Sequence, residues 1–87
     1  MAADPAPLGP HLRLRLFASL REAAGWGERH WPLAAGEAPT PRQLWQALAL
    51  PGELVAIRVA INQQFATFDT PLQAGDELAF LPPISGG

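Results

Sequence analysis

The chain has 87 residues and a mass of 9.3 kDa, room for one small domain. It has no Cys, and all six cationic side chains are arginine (Arg13, Arg15, Arg21, Arg29, Arg42, Arg58), which excludes thiol nucleophiles, disulfides, thiolate metal sites, Schiff-base lysines and a P-loop lysine. A net charge of −2 and a pI near 5.5 argue against a nucleic-acid partner, and no apolar run approaches the roughly 18–20 residues of a membrane span.

Met1 to Pro10 has three prolines and neither a basic cluster nor an apolar stretch, so it reads as a disordered leader and not as a signal peptide. In His11–Phe17, Leu12, Leu14 and Leu16 alternate with Arg13 and Arg15, the period of a strand with one buried face. Phe17 falls on the face opposite the leucines. Ser19 to Glu22 has the spacing of a capping box, and Gly25 supplies a stop, so a short helix is expected with Ser19 as its cap. Trp26–Leu33 is a weaker strand, interrupted by Pro32.

Thr40-Pro41-Arg42-Gln43 is the clearest local signal: a capping threonine, proline at the first helical position and a glutamine to return the second bond. Leu44, Ala47 and Leu48 give that helix an apolar stripe, and Pro51-Gly52 ends it. Val55–Asn62 reads as a strand with Val55, Ile57, Val59 and Ile61 on one face. A turn at 62–64, a short strand Phe65–Phe68, a loop 69–75 and a last strand Asp76–Leu81 complete the order. Leu78 and Phe80 alternate there with Ala79 and Leu81. One mixed sheet crossed by one main helix is the compact solution, an α+β fold.

Few residues suggest chemistry. His11 and His30 have no Cys or His nearby in sequence and read as surface imidazoles, with no metal site. Asp76-Glu77 point to opposite faces of a strand, so turn chemistry explains them. The three Trp residues fit core packing as well as a binding surface. The end stands apart: the last strand runs through Pro82-Pro83-Ile84-Ser85 to bare Gly86-Gly87. Six extended residues reach roughly 20 Å at about 3.3 Å each, enough for a slim arm to enter another protein's active site. A glycine carboxylate is the least hindered acyl group a chain offers.

These residues resemble a known family. Leu16-Phe17-Ala18-Ser19-Leu20-Arg21-Glu22 with Gly25, Ile61-Asn62-Gln63, Phe68-Asp69 with Pro71-Leu72, and Gly75-Asp76-Glu77 through Pro82-Pro83-Ile84-Ser85-Gly86-Gly87 are similar to the small subunit family of molybdopterin synthase (the MoaD family). The likeness runs over about residues 12 to 87 and is weak from Trp26 to Pro39. It implies a β-grasp (ubiquitin-like) domain over 11–81, a leader over 1–10 and an extended tail over 82–87.

It further implies a sulfur carrier that catalyses nothing alone, the sulfur-donating small subunit of a sulfurtransferase. Gly87 would be adenylated by an E1-like adenylyltransferase using ATP and Mg²⁺, then converted by a sulfur donor protein to a thiocarboxylate that serves molybdenum cofactor synthesis, with Gly86 beside it. No cofactor would be held tightly by the chain. Phe17, Phe65 and Leu81 match positions of an apolar docking patch for the large synthase subunit, with Pro82, Pro83, Ile84 and Ser85 following into it. Phe65 also suits plain core filling, and Arg21 suits either a contact with the activating enzyme or a solvated helix position. A cytoplasmic heterotetramer is the implied assembly. A thiamin-type carrier, a tRNA-thiolation carrier and a protein modifier are the alternatives. With Met1 the only sulfur-containing residue, any transferable sulfur must be acquired.

Overall fold

The computed structural model describes residues 7–83; the first six residues of the expected leader, and Ile84, Ser85, Gly86 and Gly87 of the expected tail, lie outside the described residues. The elements in chain order are β1 (His11–Leu16), α1 (Ala18–Ala24), β2 (Glu28–Pro32), α2 (Pro41–Leu48), a 3₁₀ turn (Leu54–Ala56), β3 (Arg58–Ile61), β4 (Gln64–Ala66) and β5 (Glu77–Leu81). The five strands form one mixed sheet in the order β2-β1-β5-β3-β4. The first and last strands are its parallel central pair, with Leu14 opposite Leu78 and Leu16 opposite Phe80.

The leucine alternation of β1 works as expected: Leu12, Leu14 and Leu16 are buried and join Leu78, Phe80 and Val59 under the helices. α2 closes that layer. Thr40 Oγ1 accepts from the Gln43 amide (3.2 Å), and the Gln43 side chain accepts from the Thr40 amide (3.0 Å), so the capping box is complete. The buried stripe is rotated from the expected one: Pro41, Leu44 and Trp45 are buried while Ala47 is exposed. The reason is the indole, which meets the Phe80 ring edge-on at 5.3 Å and buries far more apolar area than a methyl group would. Trp26 and Trp31 also pack against the core.

Four local expectations are corrected. Ser19 does not cap α1; the cap position is Phe17, whose carbonyl accepts from the Leu20 amide (3.1 Å), and Ala18 takes φ +49° to turn the chain sharply out of β1. Gly25 does end that helix, at φ +85°, donating to the Arg21 carbonyl. Val55 is not on a strand but on the 3₁₀ turn, where it is 81% exposed, because the chain needs that turn to rejoin the sheet after Pro51-Gly52. The hairpin turn is confined to Asn62-Gln63, both at positive φ (52° and 68°), the pair of left-handed residues that a two-residue hairpin requires. The strand after it is therefore Gln64–Ala66, not Phe65–Phe68. The fourth concerns the imidazoles: His11 and His30 are half-buried and touch edge-on, centroids 5.2 Å apart, with His11 Nδ1 against the Gly9 carbonyl and the buried His30 Nδ1 without a hydrogen-bond partner.

Two polar clamps hold the loops. Asn62 Nδ2 donates to Asp76 (2.9 Å) while its Oδ1 accepts from the Glu77 amide (3.0 Å), tying the hairpin to the start of β5. Arg42 on α2 grips Asp69 through two bonds of 2.9 and 3.0 Å. The hydrogen bonds from Arg42 hold the Asp69 carboxyl below its usual range, against an opposing effect of desolvation, with the charge attraction to Arg42 adding to the lowering.

The capping box and the Arg42–Asp69 clamp each make a prediction. Thr40→Ala lowers the unfolding free energy by about 1 kcal/mol, measured by chemical denaturation, because it orphans the Gln43 amide in the first turn of α2. The Asp69 carboxyl is depressed in the folded state, so its contribution is complete above the unfolded carboxylate value of about 3.9 and is lost as pH falls through the lower folded value. The stability gap between wild type and Asp69→Asn should therefore be present near neutrality and close in strong acid; a gap constant with pH would contradict the clamp.

Candidate functional site

Both helices use the leucine face of the sheet, so the other face stands open. Strand parity decides what it presents: Arg13 and Arg15 from β1, Glu77, Ala79 and Leu81 from β5, Arg58 and Ala60 from β3, and Phe65 from β4. Arg15, Ala79, Ala60 and Phe65 lie in one row across four strands. The two alanines have no side chain beyond Cβ, so their larger neighbours stand above them as walls.

The result is a concave site of about 320 Å³ lined by Phe17, Phe65, Leu81, Arg15 and Glu77 over the alanine floor. A broader groove of about 830 Å³ continues from it past Val55 and Arg58 to Pro82 and Pro83, sharing Phe17, Phe65 and Leu81. Phe65 is 72% exposed, so its ring does not fill the core. Arginines support both rings: the Arg15 guanidinium lies 4.9 Å from the Phe17 centroid and that of Arg58 lies 5.6 Å from the Phe65 centroid. Arg15 also pairs with Glu77 at 3.3 Å.

Phe17, Phe65, Leu81, Pro82 and Pro83, singled out from sequence, are thus brought together along one groove. Ile84, Ser85, Gly86 and Gly87 are beyond the described residues, although the chain leaves β5 at the lip of this groove, at Leu81. Arg21 lies elsewhere, exposed on α1, with its side chain against Gly27: a Cβ at Gly27 would come within 2.8 Å of Arg21 Nε. Val55 and Arg58 are groove residues that the sequence did not mark. Alternation placed Val55 in the core, and only the Pro51-Gly52 break upstream hinted otherwise. Among the described residues no three His, Asp or Glu gather as metal ligands, and no helix is long and apolar enough to cross a membrane.

An open apolar groove of this kind can recognise a complementary apolar surface. The profile of the ThiS family matches residues 14–87. This chain belongs to the ThiS family. The molybdopterin synthase sulfur carrier subunit of Escherichia coli K12 is 34% identical to it over 83 residues, covering 87% of this chain and 99% of that one. The crystal structure of SAMP1 from Haloferax volcanii superposes with a TM-score of 0.67 at 28% identity, covering 88% of this chain and 99% of that one. A complex of subunits 1 and 2 of the molybdopterin-converting factor from Helicobacter pylori 26695 contains a chain similar at TM-score 0.61 and 23% identity, covering 88% and 99%, a likeness of fold. The sheet and helices described above are those of the β-grasp, ubiquitin-like fold.

The exposure of Phe65 makes a prediction about stability. Phe65→Ser should shift the unfolding free energy by less than about 0.5 kcal/mol, whereas Leu14→Ala on the buried face should remove roughly 2–5 kcal/mol. A large loss in the Phe65 variant, read by denaturant titration, would assign that ring to the core.

Proposed function

We propose that this ThiS family chain is the sulfur carrier subunit of a molybdopterin synthase. The observation that carries the reading is the placement of Pro82-Pro83 at the open Phe17–Phe65–Leu81 groove, from which the sequence runs straight to Gly86-Gly87. The near-complete match to the Escherichia coli carrier supports it.

The chemistry follows from the carboxylate. A free carboxylate is a poor electrophile because its leaving group would be oxide. An E1-like adenylyltransferase joins the Gly87 carboxylate to AMP from ATP, with Mg²⁺ on the phosphates and pyrophosphate released. The adenylate is a mixed anhydride, so a sulfur donor protein displaces AMP and leaves a thiocarboxylate on Gly87. That sulfur is nucleophilic and is passed to cyclic pyranopterin monophosphate within the large subunit. ATP and Mg²⁺ belong to the activating enzyme; this chain contributes the acyl group and its delivery.

The groove supplies the docking. Phe17, Phe65 and Leu81 present apolar area that a large subunit covers, and Pro82 and Pro83 restrict the arm before it binds, lowering the entropy lost on ordering Ile84, Ser85 and the glycines. Gly86 and Gly87 fit a narrow channel because they have no Cβ. Arg21, away from the groove, is free to meet the activating enzyme. Two carriers on a large-subunit dimer give a heterotetramer, and a Cys-free chain suits the reducing cytoplasm.

The likeness to SAMP1 at 28% identity favours a second reading, a carrier that modifies proteins or serves tRNA thiolation. A thiamin-type carrier is the remaining option. One incubation separates them: the chain, an E1-like enzyme, ATP and a sulfur donor, followed by intact-mass measurement and addition of the large subunit with its pterin. Replacement of one C-terminal oxygen by sulfur, then transfer to the pterin, is the expected course; conjugates on many lysines would select the modifier. Deleting Gly87 should abolish loading while the unfolding midpoint stays unchanged. Normal molybdopterin formation by that variant would end this proposal.

A further inference from the structure

Arg58 opens β3 on the open face, opposite Leu81, with its guanidinium 5.6 Å from the Phe65 ring centroid. It is exposed and, among the described residues, has no carboxylate partner. The other two arginines on this face are neutralised, Arg13 by Glu28 and Arg15 by Glu77, each at 3.3 Å. Asp69, on the flank beyond Phe65, is held through both oxygens by Arg42. The groove therefore contains one uncompensated cation set among Phe65, Leu81, Pro82 and Val55.

Val55 adds an apolar point. Leu8, Val55 and Phe65 are the large apolar side chains exposed among the described residues, and two of the three line this groove. The 3₁₀ turn fixes Val55 there, with the Ala56 amide on the Glu53 carbonyl (3.0 Å) and the Ile57 amide on the Leu54 carbonyl (3.1 Å).

A surface that covers the Phe65 ring also covers the guanidinium lying over it. Removing water from an unpaired charge is strongly unfavourable, and the penalty is relieved when the partner supplies the opposite charge with hydrogen bonds. A second copy of this chain does not meet that need. A two-fold interface sets the same patch against itself, bringing two unpaired guanidiniums and, with Glu77 already held by Arg15, no unpaired acid from the groove lining.

We propose that Arg58 is a charge-specific contact: the partner that occupies the Phe17–Phe65–Leu81 groove brings a carboxylate to Arg58 and an apolar side chain to Val55. This rests on the docking role proposed above and adds what the docking partner must carry. The carboxylate gives discrimination as well as attachment, since a basic or wholly apolar surface of the same shape is rejected.

The test is calorimetric titration of the full chain with the large synthase subunit of the same organism, at low and high salt. Phe65→Ala should weaken binding about tenfold or more and keep the salt dependence. Arg58→Leu should weaken it about tenfold and flatten the salt dependence, and Arg58→Glu should weaken it about 100-fold, with restoration by reversing one acidic residue of the large subunit. Both Arg58 variants should unfold at the wild-type midpoint. If Phe65→Ala weakens binding and neither Arg58 variant does, Arg58 is no contact and this inference falls while the docking role stands. If Phe65→Ala binds as wild type, the docking role itself falls. A dimer of this chain in sedimentation, broken by Phe65→Ala, would replace the acidic partner with a second copy.

Discussion

The parallel pairing of β1 with β5 is the constraint from which the open face and its groove derive. Parallel neighbours run in the same direction, so the ends of the first and last strands emerge at one edge of the sheet. That brings Phe17 just past β1 and Leu81 at the end of β5 into one groove, although 64 positions separate them in the sequence. The pairing also puts the last strand, β5, at the centre of the sheet.

The two faces of the sheet divide the work. Leu12, Leu14, Leu16, Leu78 and Phe80 supply burial on one side, with α2 and its Trp45 closing the layer. The other side is free of that duty, and its small residues Ala60 and Ala79 make a floor deep enough for neighbouring rings to act as walls. Burial and the open groove thus fall to alternate residues of the same strands.

Much of this was legible in the residues. The alternation of β1 and β5 and the capping box at Thr40 depend on short-range rules, and both read correctly. Phe17 and Leu81 were recognisable as open-face residues from parity alone. What parity could not decide was the phase after an irregular segment. Val55 alternates with Ile57 and Val59 as a core residue would, but the 3₁₀ turn removes it from the strand, and no local rule announces that turn. Ser19 had the right spacing for a cap, yet Ala18 adopts a left-handed backbone and the helix starts two residues earlier, with Phe17 at the cap position. Trp45 displaced Ala47 from the stripe through a long-range contact with Phe80, which no window along the chain contains. The pairing state of Arg58 is likewise a property of where every other acid sits.

The hairpin that carries Phe65 has a kinetic consequence. β4 is three residues long, lies at the sheet edge and pairs only with β3 through Val59, Ala60 and Ile61. Edge segments held by so few ladder bonds open locally at a fraction of the global unfolding free energy. The most exposed ring of the groove therefore rides on a short edge strand whose amide hydrogens are expected to exchange readily, and a surface covering that ring would also hold the strand in place. Protection of the β4 amides becomes a reporter of occupancy, silent to events at the buried leucines.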